Sequence, residues 1–210
     1  MTILGIKNRT ENWKTAVHFS PLFDGHSYQL AERLGTEPRP QPGEVRVELF
    51  WRGMRDLAHQ RKWKRPAIKR ELVDLYIALF SSLRADVEAF GEFKVLKPEN
   101  YDASTEDEKA NLVNNLLNTE VDVVLETPNR LFIGEAKHEM SFSANGNLIL
   151  VHQLIRQYVM ATILVEISNN RPRKRVVPFV VGDNVDNLNK TSQVRFMISQ
   201  GWLRKENVLS

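Results

Sequence analysis

The stretch EVDVVLETPNRLFIGEAK, from Glu120 to Lys137, is typical of two apolar strands joined by a turn at TPNR. If the hairpin is centred in the middle of TPNR, Asp122 lies opposite Glu135 and Glu120 lies opposite Lys137. Because side chains alternate between the two faces of a strand, these four charged side chains share one face, and the other face is small and apolar. The sequence therefore predicts a hairpin in which two carboxylates face each other.

Two opposed carboxylates indicate a cation site. Directly opposed Cβ atoms lie about 4.5–5.5 Å apart, and like charges at that separation destabilise a strand pair. Partly buried, the two acids need either a raised pKa or a cation between them. Mg²⁺ fits, since it binds one or two protein carboxylates and keeps waters for a phosphate substrate. We therefore predict a metal site at Asp122 and Glu135, with Lys137 placed to orient or deprotonate a water.

The alternative is a solvent-facing hairpin with a Glu120–Lys137 surface pair and two tolerated acids. Pro128 cannot adopt the positive φ that two-residue hairpin loops prefer, so the loop could be longer or the register could slip. A slip of one residue would place Asp122 and Glu135 on opposite faces, and the metal site would then be lost.

Composition limits the class of protein. The chain has 210 residues, of which 42% are hydrophobic and 26% charged, and this excludes wholesale disorder. It has no cysteine, which excludes disulfides and thiolate chemistry and fits a reducing cytoplasm. The N-terminus lacks the apolar core of a signal peptide, and the most apolar region, residues 148–167, is too polar for a bilayer span. We expect a soluble, cytoplasmic protein that does not bind membranes.

Positive charge is concentrated in two segments, although the net charge is only +3. Such concentration suits a phosphate-binding surface, and the alternative is an ordinary solvated face. The second segment is RPRKR, Arg171 to Arg175. The first is predicted to bind nucleic acid through Arg52, Arg55, Arg61, Lys62, Lys64, Arg65, Lys69 and Arg70.

The order of predicted elements indicates a mixed α/β fold, a mixed sheet with helices on both faces. Residues 45–62 favour a helix, although VRVELF also alternates like a strand. The other predicted elements are a helix from Pro66 to Phe90, a strand at Glu92–Lys97, a helix with a capping box of Thr105 and Glu108, the hairpin, a helix from Leu148 to Ile167, a strand at Val176–Gly182 and a final helix ending at Gly201.

A third acid is predicted from this order. If strand Glu92–Lys97 runs antiparallel to the first hairpin strand, the N-terminal half of the preceding helix lies at the same end as the carboxylates. Glu71 or Asp74 could then approach them, and Glu71 is our choice as an auxiliary metal ligand. Both are alternatively ordinary polar-face residues of the helix.

Asp122 followed by Glu135-Ala136-Lys137 resembles the D…ExK signature of the PD-(D/E)XK, or restriction-endonuclease-like, nuclease superfamily. The resemblance covers about residues 66–182, and Val121 replaces the proline that precedes the motif aspartate. It implies an αβββαβ core with a mixed central sheet, formed by residues 66–210, with residues 1–65 as an N-terminal extension whose basic segment packs on the core. It also implies that the carbonyl of Ala136 is a metal ligand.

The helix HQLIRQYVMA adds a partial match. Some branches of the superfamily carry a glutamine on this helix followed four residues later by a tyrosine, whereas here Gln153 is followed by Gln157. Gln153 is predicted to orient the water or contact phosphate, and Arg156 to contact nucleic acid. The alternative is a polar stripe of Gln153, Arg156 and Gln157 on a half-buried helix.

Together these features predict a Mg²⁺- or Mn²⁺-dependent nuclease with Asp122, Glu135, Lys137 and Gln153 in its active site, acting on DNA in preference to RNA. A homodimer is possible, since many relatives dimerise to cut both strands. The first alternative is a catalytically silent nucleic-acid-binding or assembly subunit that keeps the fold. The second is a structural interaction protein whose basic clusters are only solubilising.

Overall fold

The predicted hairpin forms the centre of a five-stranded mixed sheet. The computed structural model describes residues 2–3, 6–7, 10–35, 39–41, 43–62, 65–82, 103–137, 142, 150–168 and 173–210. The strands are β1 (Thr2–Ile3), β2 (Ile6–Lys7), β3 (Arg46–Trp51), β4 (Val121–Glu126), β5 (Arg130–Lys137), β6 (Arg175–Gly182) and β7 (Val208–Leu209). The sheet has the order β3-β4-β5-β6-β7, and β1 and β2 form a separate antiparallel pair.

Eight α-helices lie within the described ranges. They are α1 (Thr10–Phe19), α2 (Ser27–Arg33), α3 (Gly53–Gln60), α4 (Arg65–Ser82), α5 (Glu106–Leu117), α6 (Gln153–Ile167), α7 (Val185–Lys190) and α8 (Ser192–Ser199). None of them is long and apolar enough to cross a lipid bilayer.

The register of the β4–β5 hairpin is the predicted one. The two strands are antiparallel, and Val123 pairs with Gly134 while Glu126 pairs with Leu131. The connection is short in spite of Pro128, because the hydroxyl of Thr127 accepts a hydrogen bond from the backbone N–H of Arg130 at 3.0 Å. A slip of one residue therefore does not occur over the paired residues. The predicted face is wrong for Val121, which packs in a different apolar cluster from Val123 and Ala136.

The strand next to β4 differs from the prediction. β3 pairs antiparallel with β4, so the helical prediction for residues 45–62 is wrong for Arg46–Trp51 and confirmed for α3. The alternation in VRVELF was the correct signal. The predicted strand Glu92–Lys97 lies outside the described residues. Both edges of β4 are occupied, one by β3 and the other by β5.

The sheet lies between two helical layers. Beyond the hairpin, β6 runs parallel to β5 and β7 runs parallel to β6, so α6 is the crossover between parallel strands. On one face, α3 to α6 and α8 bury an apolar cluster that includes Tyr76, Ile155 and Met160. On the other face, the segment from α1 to α2 packs Phe19 and Leu34 against the sheet. The predicted N-terminal extension thus contributes a helical layer and an edge strand.

Several helix ends follow from local sequence. The predicted capping box is confirmed, since the hydroxyl of Thr105 accepts from the N–H of Glu108 and the Glu108 carboxylate accepts from the N–H of Thr105. Helix α8 ends before Gly201, which adopts a φ of +67°. Helix α6 begins at Gln153, five residues later than predicted. Helix α7 and strand β7 were not predicted.

Candidate functional site

The β4–β5 ladder opens at the end that carries the predicted carboxylates. Asp122 and Glu135 lie directly beyond the last pair of the ladder, that of Val123 with Gly134. One position further, the backbone N–H of Ala136 donates to Oδ2 of Asp122 at 2.9 Å. The carboxylate of Asp122 thus stands where a continuous ladder would place a backbone acceptor.

The neighbouring strand is kinked at the same level. Leu49 and Trp51 of β3 pair with the residues on either side of Asp122, so Phe50 lies beside it. Phe50 has a φ of +55°, a left-handed conformation that a bulky side chain rarely adopts. Such a conformation costs on the order of 1–3 kcal/mol and is held by the surrounding structure. The backbone strain therefore coincides with the candidate site.

Glu135 is enclosed by hydrogen-bond donors. Its side chain is 1% exposed and forms an ion pair with Lys137, whose Nζ lies 2.7 Å from Oε1. The amide Nε2 of Gln153 donates to the same oxygen at 2.5 Å. The amide Nε2 of Gln157 donates to Oε2 at 2.6 Å. A cation and two amides thus hold this carboxyl group in one orientation.

The charge state of Glu135 is perturbed by its surroundings. Burial, and then the charge of Asp122, raise the pKa of the Glu135 carboxyl to about 8, while Lys137 and the hydrogen bond from Gln157 act in the opposite direction. The two acids are therefore electrostatically coupled, as the predicted register requires. A cation placed between them would relieve the repulsion that contributes to the raised pKa.

Gln157 is a site residue that the sequence reasoning treated only as part of a polar stripe. It is 2% exposed, and its amide donates to the backbone carbonyl of Glu120 at 2.9 Å as well as to Glu135. It therefore joins the start of β4 to the end of β5. Its spacing of four residues from Gln153, which places both amides on one face of α6, is the signal that could have identified it.

The start of α6 is held by a side chain from another helix. Oε1 of Gln193, a buried residue of α8, accepts from the backbone N–H of Leu154 at 3.1 Å. This satisfies one of the N–H groups that a helix leaves unpaired at its N-terminus. Gln193 thereby fixes the turn of α6 that presents Gln153 to Glu135.

The charges next to the site pair differently from the prediction. Glu120 forms an ion pair with Arg52, with Nε of Arg52 2.6 Å from Oε2, and Lys137 pairs with Glu135 rather than forming the surface pair of the alternative interpretation. Nζ of Lys137 also lies 5.4 Å from the ring centroid of Phe142. The ammonium group therefore stays within the site, with its side chain only 8% exposed.

The predicted basic segment is only partly available to a ligand. Besides the Arg52 ion pair, Arg55 contacts the Asn118 side chain at 3.5 Å, and Arg61 donates to the carbonyl of Ile167 at 2.8 Å. Lys62 and Arg70 are exposed. Lys64 and the side chains of Arg65 and Lys69 lie outside the described part of the chain. Phosphate binding by this segment stays a prediction.

Arg156 lies close to the site rather than on an open surface. Its Nη1 donates to the carbonyl of Val151 at 2.8 Å. Burial lowers the pKa of the Arg156 guanidinium, and the charge of Glu135 opposes that effect. The described positions therefore put this cation within electrostatic reach of the buried carboxyl.

Glu71 and Asp74 are both exposed on α4, whose buried residues include Leu72 and Tyr76. The topological reason for choosing Glu71 is lost, because the neighbour of β4 is β3. Among the described residues, no group of three or more His, Cys, Asp or Glu side chains is arranged to hold a metal ion. Glu71 as an auxiliary ligand stays a prediction.

The remaining donor set fits a hard divalent cation. In a β-strand, the N–H and the C=O of one residue point towards the same neighbouring strand. The carbonyl of Ala136 therefore points to the same side as its N–H, which donates to Asp122. With the carboxylates of Asp122 and Glu135, this carbonyl makes a set of oxygen ligands of the kind that Mg²⁺ and Mn²⁺ bind. Burial is the main cause of the raised pKa of Glu135, and repulsion from Asp122, which a cation would relieve, is the second.

Comparisons of the chain with protein-family models, with curated proteins and with solved structures find no match. Function is therefore inferred from the geometry and charges of the residues themselves.

Proposed function

We propose that the chain is a metal-dependent nuclease of the PD-(D/E)XK type, which hydrolyses phosphodiester bonds of nucleic acid, with DNA preferred over RNA. One observation carries the proposal. Asp122 and Glu135 lie directly beyond the last pair of the hairpin and are electrostatically coupled, and Lys137 lies 2.7 Å from Glu135. Two coupled carboxylates beside a buried ammonium are the groups that metal-assisted hydrolysis needs.

The strand order also supports the proposal. β3, β4 and β5 are consecutive antiparallel neighbours, and α6 then leads to the parallel strand β6. With α2 before them, these elements follow the order αβββαβ, and α3 to α5 are an insertion between the first two strands. This assignment uses β3 in place of the strand predicted at Glu92–Lys97.

Each side chain has a definite part in the proposed reaction. Asp122, Glu135 and the carbonyl of Ala136 would hold Mg²⁺ or Mn²⁺. Bound there, the metal supplies Lewis-acid polarisation of a phosphate and a water of lowered pKa. Lys137 orients that water and offsets negative charge that develops on the phosphate. The amide of Gln153 contacts the phosphate or the water.

The test is cleavage of labelled single- and double-stranded DNA and RNA with Mg²⁺ or Mn²⁺, compared for the unaltered chain, Glu135→Ala and Lys137→Ala. Losing a group that stabilises the transition state by several kcal/mol lowers the rate at least about 100-fold, because each 1.4 kcal/mol corresponds to about tenfold. Glu206→Ala and Lys190→Ala, which change exposed residues, are the matched controls. Cleavage that survives both site changes would reject the assigned roles.

A second candidate is a catalytically silent subunit that binds nucleic acid or assembles with a partner. The observation in its favour is that Lys137, Gln153 and Gln157 already occupy both oxygens of Glu135. Metal titration of the chelator-treated protein discriminates between the two. A nuclease gains thermal stability with Mn²⁺ through Asp122 and Glu135, whereas a silent subunit shows no shift and no calorimetric heat of binding.

A further inference from the structure

The second basic segment of the sequence lies at the end of the sheet opposite the carboxylates. Of RPRKR, the structure describes the last three residues, which lead into β6. They line a groove of about 330 Å³, which we call the turn-end groove. Its lining includes Tyr158, Trp202, Arg173, Lys174 and Arg175.

Two of these cations are already neutralised within the chain. Arg173 forms an ion pair with Glu166, and Lys174 forms one with Glu126 at 3.3 Å. Lys174 also donates to the carbonyl of Thr127 at 2.6 Å, so it fastens the hairpin turn. These contacts give Arg173 and Lys174 structural roles that need no ligand.

Three other arginines at this end form what we call the arginine cluster: Arg130, Arg175 and Arg204. Arg130 and Arg175 are direct neighbours in the parallel β5–β6 register. Burial, and then the charges of Arg175 and Arg204, lower the pKa of the Arg130 guanidinium. None of the three forms an ion pair with a carboxylate of the described chain. Within the described residues, no carboxylate therefore offsets the repulsion between them, and a polyanion would offset it.

The groove also contains an aromatic surface. The rings of Tyr158 and Trp202 are stacked, with centroids 4.7 Å apart and an angle of 17° between their planes. Both side chains are half-buried. Arg175 is the member of the arginine cluster that lines the groove with these rings. Cations next to aromatic rings are the combination with which proteins bind single-stranded nucleic acid, because phosphates contact the cations and bases stack on the rings.

We propose that the turn-end groove and the arginine cluster form a second nucleic-acid contact, which holds a single-stranded segment of the substrate away from the carboxylates. Five residues of β5 separate Arg130 from Glu135, a distance of about 16 Å at about 3.3 Å per residue. This inference rests on the proposed function, because it takes nucleic acid as the ligand.

The experiment measures binding without cleavage. The full chain in EDTA is titrated against fluorescein-labelled 20-residue oligothymidylate, and fluorescence anisotropy is recorded over a range of NaCl concentrations. The double variant Arg175→Gln/Arg204→Gln removes two exposed cations of the cluster. Lys190→Gln/Arg195→Gln removes the same charge from exposed positions on α7 and α8. Unfolding curves of all three proteins confirm that they are folded.

The cluster variant is expected to bind several-fold more weakly, because fewer phosphates are neutralised. The slope of log K against log salt is expected to fall by about 0.7 for each phosphate that the variant no longer binds. The control variant keeps the slope of the unaltered chain. Equal slopes in all three proteins, or equally weakened binding in both variants, would overturn the second nucleic-acid contact.

The outcomes separate the two proposals. If the unaltered chain does not bind the oligothymidylate but cuts DNA or RNA with Mg²⁺ or Mn²⁺, the second nucleic-acid contact fails and the nuclease stands. If the binding depends on the cluster but no substrate is cut with Mg²⁺ or Mn²⁺, the nuclease fails and the second nucleic-acid contact stands. If the cluster variant binds and cuts like the unaltered chain, only the second nucleic-acid contact fails.

Discussion

At both ends of the β4–β5 hairpin, a backbone N–H of β5 donates to a side-chain oxygen, but the accepting group differs in charge. At the turn end, the N–H of Arg130 donates to the hydroxyl of Thr127 at 3.0 Å. At the open end, the N–H of Ala136 donates to the carboxylate of Asp122 at 2.9 Å. In both places a side chain in or directly after β4 accepts a bond from the backbone of β5.

The difference lies in what surrounds each acceptor. The turn is closed by neutral and cationic donors, since Lys174 donates to the carbonyls of Thr127 and Pro128. The open end instead places the Asp122 carboxylate beside a second, buried one on Glu135. A hydroxyl suffices for closing a hairpin, so the charge at the open end calls for a functional explanation.

The largest expected effect on stability is that of Gln157→Leu. It removes the donor to Oε2 of Glu135 and the bond to the carbonyl of Glu120. An unsatisfied buried acceptor that is charged costs about 3 kcal/mol, which corresponds to a fall in Tm of roughly 6–12 °C. Thermal unfolding at pH 8 in EDTA measures it, and Gln200→Leu, a change at the end of α8, is the control.

A Tm equal to that of the control would show that Gln157 does not hold the open end together.

The second expected effect is a dependence of the thermal stability on pH, caused by Glu135 at the open end. Glu135 has a pKa raised from 4.5 to about 8 by burial and by Asp122, so between those values the folded chain keeps a proton that the unfolded chain releases. Its contribution to stability is present below about pH 4.5 and is lost as the pH rises towards 8. We expect the metal-free Tm to fall by about 4 °C or more from pH 5 to pH 8 relative to Glu135→Gln.

Parallel curves for the unaltered chain and Glu135→Gln would contradict the shifted pKa. Adding Mn²⁺ at pH 8 supplies the complementary measurement, because a cation that binds the ionised pair restores stability only in the unaltered chain.

The smallest effect is expected at the turn. Thr127→Val keeps the shape of this buried residue but removes the acceptor for the N–H of Arg130, while the bond from the N–H of Thr127 to the carbonyl of Arg130 remains. The cost is about 1 kcal/mol, a fall in Tm of roughly 2–4 °C that is independent of pH between 5 and 8. Thr127→Ser, which keeps the hydroxyl, serves as the reference.

If Thr127→Val proved as costly as Gln157→Leu, or equally sensitive to pH, the contrast between the two ends would not hold.

The register and the opposed acids could be predicted from the sequence because strand alternation and a turn signal are local properties. Four residues of TPNR and a period of two place Asp122 against Glu135 without any knowledge of the rest of the fold. The capping box of α5 was predictable for the same reason, since its two reciprocal bonds span three residues.

The neighbours of the hairpin could not be predicted in this way. VRVELF fits a strand or a helix, and only pairing with β4 across about 75 residues decides that it is a strand. The same long-range pairing brings Arg52 to Glu120, with which it forms an ion pair. The choice of Glu71 depended on a strand order that the structure replaces.

By itself, the sequence determined the register of the hairpin, because that depends only on the turn signal and on the alternation of an extended chain. Tertiary structure alone decided that Glu135 is buried, that Gln157 of α6 donates to it, and that Arg130 lies beside Arg175 at the far end. Burial and charge coupling arise between segments that are distant in sequence. For that reason the residues of the site could be identified from local patterns, whereas its electrostatics required the fold.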